Sequence, residues 1–155
     1  MKFILFILIG LGCFSNGLSA QDFQWLEDKK VEFKQDTAHL EQEVRDMLDK
    51  DYSTLGMIEA SYYLEQGYDK LLNKYYKVLL NILNEENKIL LRTSQRNWIN
   101  LRDSDKKLIS GMKDQTYEAM GGGTVWGVIA ASERADITRR RVFELYNFIQ
   151  FSSLS

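Results

Sequence analysis

Apolar residues recur along this chain at helical spacing for almost its whole length. From Asp22 to Lys50, Leu26, Phe33, Leu40, Val44, Met47 and Leu48 stand on a charged background. Side chains three, four and seven apart share one face of an α-helix, so the stretch predicts one long amphipathic helix. Asp49 to Ser53 form a polar break. Ser53 or Thr54 is the expected cap of a second helix running to about Asn84. Met57, Leu64, Tyr68, Leu71, Leu72, Tyr75, Leu79 and Ile82 make its main stripe, while Tyr62, Asp69, Asn73, Tyr76 and Leu80 fall on a neighbouring face also rich in large side chains. Two such faces predict a helix with two partners.

After a polar link at 84–87, a third helix is expected over Glu86 to Lys113. Its inward stripe reads Leu91, Ser94, Gln95, Trp98, Leu101, Arg102, Asp105, Ile109 and Met112. Amides and guanidiniums on a core stripe are costly unless paired, so Gln95 and Arg102 require specific partners. Gly121-Gly122-Gly123 with Thr124, Val125 and Trp126 predicts a flexible loop. A last helix is expected over Val128 to Phe148, facing inward with Thr138, Val142, Leu145, Tyr146 and Ile149, and residues 151–155 are expected to fray. The absence of proline and of strand-like alternation gives an all-α fold, a mostly antiparallel bundle of about four helices.

The first twenty residues stand apart. Lys2, the apolar run Phe3 to Leu11 and the small-residue end Leu18-Ser19-Ala20 have the layout of a secretory signal peptide, with cleavage expected after Ala20. The apolar run is shorter than the roughly 20 residues a spanning helix needs. A competing reading lipidates Cys13, but Gly10 stands where a lipoprotein signal would place leucine. Residues 21–155 then form one domain of periplasmic or secreted location, without a cysteine and so without a disulfide or thiolate ligand.

Charge is close to balanced, with 20 basic and 22 acidic residues, which argues against nucleic acid as a partner. The balance is uneven. Residues 22–51 carry ten acidic and five basic side chains, and residues 52–155 carry twelve and fourteen. His39 is the one histidine, which disfavours catalytic arrangements built on His or Cys and most zinc sites; no enzyme activity, cofactor or metal is expected.

Asp69-x-x-Leu72-Asn73-x-x-Tyr76, then Leu91-Arg92, Gln95-x-x-Trp98-x-x-x-Arg102-Asp103, the triple glycine, and Thr138-x-x-Arg141-x-x-x-Leu145 follow one another in order. This series resembles the lysozyme-inhibitor-like LprI N-terminal family, most strongly over residues 54–146. The resemblance implies a small exported helical protein, with a lysozyme-like muramidase as partner and inhibition as the activity. Many members of that family carry disulfide cysteines where this chain has Ala60 and, near the last helix, Ala131 and Ser132.

For these motif residues the reading favoured from the sequence is an interhelical hydrogen-bond network, with Asp69 meeting Arg102; the alternative is a polar binding site. Trp98 is expected as a buried core anchor, and Arg141 as paired while Arg139 and Arg140 are solvated. Thr124, Val125 and Trp126 are candidate partner contacts on a mobile loop, against the alternative that Trp126 closes the core. The acidic first helix is either a solvated face or steers a basic partner. Two rival functions stay open: an accessory envelope protein, and a small-ligand carrier with an apolar cavity of about 300 Å³ or more near Trp98.

Overall fold

The computed structural model describes residues 20–152, so the expected signal peptide, Cys13 and the last three residues lie outside it. Four helices follow in order: α1 Ala20–Lys50, α2 Thr54–Ile82, α3 Glu85–Ala119 and α4 Val125–Ser152, with no strand among the described residues. The connections are short and locally determined. Ser53 caps α2 by accepting the Gly56 amide at 3.1 Å, and Asn84 caps α3 by accepting the Asn87 amide at 2.9 Å. α3 runs six residues past its expected end, because nothing before the glycines breaks it. There Gly121, Gly122 and Gly123 take φ of 69°, 111° and 116°, a region that L side chains rarely adopt.

Successive helices are antiparallel, yet the central contact is between α2 and α4, which run parallel. Thr54 meets Thr124 and Tyr68 meets Arg139, partners 70 and 71 residues apart, so the two helices stay in register over much of their length. Small side chains make this approach possible: Ala60 on α2 and Ala130, Ala131 and Ala135 on α4 are all buried. At Gly127 a Cβ would come within 3.2 Å of Ile58. The same register sets Ala60 level with Ala130 and Ala131.

α1 flanks this pair on the side of α2, and α3 on the side of α4. α1 uses Leu26, Phe33, Thr37 and Leu40. Phe33 stacks on Tyr146 with ring centres 3.9 Å apart and meets Tyr75 and Phe143 edge-on, joining α1 to both central helices. Leu40 lies against Gly67, where any Cβ would overlap it. Two tyrosines fasten the flank: the Tyr75 hydroxyl donates to Asp36 at 2.6 Å and the Tyr68 hydroxyl to Glu41 at 2.8 Å, while Arg139 donates to Tyr68 at 3.3 Å. Lys74 closes the belt onto Asp36 and Glu32 at 2.6 and 2.7 Å. α3 is attached far more narrowly, burying only Leu91 and Gln95. This corrects the stripe expected from sequence: Leu101 and Met112 are 59 % and 57 % exposed, because α3 follows α4 along one edge and leaves α2 at a distance.

Two outcomes follow. Ala135→Leu should overpack the central seam and cost about 2–3 kcal/mol in urea unfolding. Burial, reinforced by the neighbouring Glu41 carboxylate, pushes the Tyr68 hydroxyl up to about 12. A group whose folded value is raised lends stability that is complete below its unfolded value of about 10 and is lost as pH climbs through the folded one. The urea midpoint should therefore fall between pH 10 and 12, and Tyr68→Phe should fall less steeply over that window.

Candidate functional site

The motif residues gather around α3, in two groups that share Trp98. The buried group is built on Arg141, 5 % exposed, which α4 presents to α3. Its Nε donates to Gln95 Oε1 at 3.0 Å, one terminal nitrogen to Ser94 Oγ at 3.1 Å and the other to Glu144 Oε2 at 2.9 Å. The guanidinium lies 5.7 Å from the Trp98 ring centre. Three acceptors and a π-face offset its desolvation, which is what a buried cation requires. Gln95 therefore finds its partner on α4, and the expectation that Arg141 pairs holds. Arg140 is exposed and meets Asp136 at 3.4 Å, while Arg139 is held by Tyr68, Asp136 and Glu41 and so is not simply solvated.

The second group faces α2. Arg102 approaches Asp69 at 3.8 Å, as expected, but its closer partner is its neighbour Asp103 at 2.8 Å. Its guanidinium sits 5.2 Å from the Trp98 ring centre. Trp98 is thus half-buried and contacted by two cations, where a fully buried anchor was expected. Asn73 turns back onto the Asp69 carbonyl of its own helix at 2.8 Å and crosses to no other. Leu72 and Leu145 belong to the apolar core. The motif is not one network: α4 takes Gln95, and the α2 face takes Arg102.

Because α3 leaves α2, an open groove runs between them. One cavity of about 430 Å³ is lined by Asp69, Leu72, Asn73, Tyr76, Gln95, Trp98 and Arg102 together with Arg92, Arg96 and Ile99. A second, of about 600 Å³, continues from Asp69 past Tyr62, Glu65, Gln66, Lys70 and Lys106 to Arg134 and Thr138. Lys106 pairs with Glu65, and Arg134 donates to Ser110. The volume near Trp98 meets what a carrier would need, but its lining is charged and not the apolar one expected. Lys70, Arg96 and Arg134 were not singled out from sequence, where Lys106 reads only as an ion-pairing residue; plotting the cations of α3 on a helix would have found 92, 96, 102 and 106 within one broad face.

The glycine end is a different surface. Trp126 already lies in α4, half-buried, with its indole nitrogen donating to the Gly122 carbonyl at 3.2 Å, so it fastens the turn rather than riding a mobile loop. Thr124 shares a hydrogen bond with Thr54 at 3.3 Å, and Val125 is 52 % exposed. Tyr52, Leu55, Tyr117 and Met120 add exposed apolar surface at this end, where the last turns of α1 and the link after it carry Asp46, Asp49 and Asp51 beside Arg45 and Lys50. His39 is exposed beside Glu43 at 3.5 Å, and no group of three or more metal-ligating side chains occurs among the described residues. No described helix is long and apolar enough to cross a membrane.

The family model for the lysozyme inhibitor LprI matches residues 45–145, from the last turns of α1 to Leu145 in α4, and so takes in every motif described above. The chain belongs to the LprI family. No curated protein and no solved structure matches it. The match makes the chain a member of an inhibitor family, and within it the LprI motif residues divide between fastening α3 to α4 and lining the groove toward α2. Arg141→Met should strip Gln95 of its partner and cost about 2–3 kcal/mol. Arg141→Lys should recover little of that loss in urea unfolding, since an ammonium cannot reach three acceptors in one plane.

Proposed function

We propose that the protein is exported, with cleavage after Ala20, and acts by binding a lysozyme-like muramidase and slowing it, without making or breaking bonds itself. Membership of the LprI family over residues 45–145 is the observation that carries this reading. The surface we assign to the partner is the glycine end. Exposed Val125, Leu55, Tyr52 and Met120 supply apolar contact, and Thr124 and Trp126 are held in place by Thr54 and Gly122. A turn fixed in this way has little conformational entropy to lose on docking. Asp46, Asp49 and Asp51 in the adjoining stretch outnumber Arg45 and Lys50 there, giving the rim of this surface a small acidic excess. Such a rim favours approach of a basic protein, and lysozymes are commonly basic. Glu32, Asp36 and Glu41 fasten α1 to its neighbours, so only the acids toward the end of α1 and just after it are left to serve association rate.

The test is the clearing of a cell-wall suspension by chicken-type, goose-type and invertebrate-type lysozymes with the mature protein added. Stoichiometric addition should slow at least one of them. The pair Leu55→Asp and Val125→Asp should weaken inhibition about tenfold or more, as loss of central contacts does, with an unchanged thermal midpoint. Undiminished clearing by all three enzymes at molar excess would remove the inhibitory reading.

A further inference from the structure

The groove between α2 and α3 has an electrostatic character opposite to that of the chain as a whole. The protein is slightly acidic, with a formal net charge of −2. Yet the two cavities that meet at Asp69 are lined by six cations, Arg92, Arg96 and Arg102 in one and Lys70, Lys106 and Arg134 in the other, against the acids Asp69 and Glu65. Those acids are engaged, Glu65 by Lys106 and Asp69 by Arg102. Lys70, Arg96 and Arg134 form no ion pair among the described residues. Arg134 also holds a buried Nε hydrogen without any acceptor, beside the cavity it lines. An unmet donor of this kind costs about 1–3 kcal/mol, and it sits in a cation left without a counter-ion beside the cavity. At 1.5 Å of rise per residue, Arg92 to Lys106 covers roughly 20 Å along α3, so the charge is a strip and not a point.

We propose that this groove binds a linear polyanion, a chain carrying an anionic group in every repeat, laid along α3 and recognised by its charge spacing. A single small anion would use one of the two cavities and leave the other cations unmatched. An extended chain meets both. Guanidiniums at 92, 96 and 134, none of them in an ion pair among the described residues, suit phosphate or carboxylate oxygens through paired N–H donors, while that of Arg102 is already held by Asp103. Tyr62, 43 % exposed, offers a flat apolar surface beside them. The inference does not rest on muramidase binding, which uses the glycine end, where the charge has the other sign.

The probes are end-labelled inorganic polyphosphate and end-labelled polygalacturonate, titrated with the full mature protein and read by fluorescence anisotropy. Binding of either at low salt is expected, weakening steeply as salt rises because the contacts are charge on charge. Polyphosphate alone binding would assign the ligand's anions to phosphate; both binding would assign recognition to charge in general. Lys70→Glu with Arg96→Glu, two exposed positions outside the buried Arg141 group, should weaken binding about tenfold or more at an unchanged thermal midpoint. Lys34→Glu with Lys50→Glu, which alter net charge equally but lie on α1, should leave it within about twofold. Binding of neither probe would overturn the proposal, and so would an equal loss in the α1 variant. Should the groove pair unfold the protein, Arg96→Gln alone, expected to weaken binding about threefold, decides: unchanged affinity would equally overturn it.

Discussion

The close parallel contact of α2 with α4 governs everything else in this molecule. Backbones approach this nearly only where side chains are small, and Ala60, Ala130, Ala131, Ala135 and Gly127 supply that condition along the seam. Once these two helices are side by side, each has one flank left for another helix. α1 takes the flank of α2 with a thick layer of aromatic packing around Phe33 and a row of hydroxyl and carboxylate contacts. α3 takes the flank of α4 with a much thinner one, and the gap it leaves against α2 becomes the groove. A bundle with four equal contacts would have no such opening.

The polar motif reads differently in this light. Its density on α3 looks, along the chain, like a single network fixing helix register. In space it is what a weakly buried helix needs to stay attached. Arg141 replaces missing apolar area with three hydrogen bonds and an aromatic face, and each of these has a definite direction. Directional contacts set register where a narrow apolar stripe cannot. Arg102 on the other side of Trp98 is partly buried and held by Asp103 of its own helix, with only a long approach to Asp69, so it keeps the groove wall polar without closing it.

Much of the fold was legible in the sequence because helical periodicity and capping are local signals. Ser53, the polar link before α3 and the triple glycine mark the boundaries to within a few residues, and the stripes of α1, α2 and α4 face the core as their spacing predicts, except Ile82 at the end of α2, which is exposed. The stripe of α3 misled, since Leu101 and Met112 obey the period but have nothing to pack against. Alanines were passed over for the opposite reason: Ala60 and Ala131 are small enough to seem neutral in a pattern of large side chains, yet they set the tightest contact in the structure. The family motif identified the right residues without revealing that they divide between α2 and α4, because which helix a polar group faces depends on tertiary arrangement.

Ala60 and the Ala130–Ala131 pair stand level across the central seam. Their closeness rests on complementary shape alone, since no residue from 20 to 152 carries a thiol. The fold of these residues is consequently indifferent to redox poise: thiol oxidants and reductants have nothing to act on in it, and its folding waits on no covalent step.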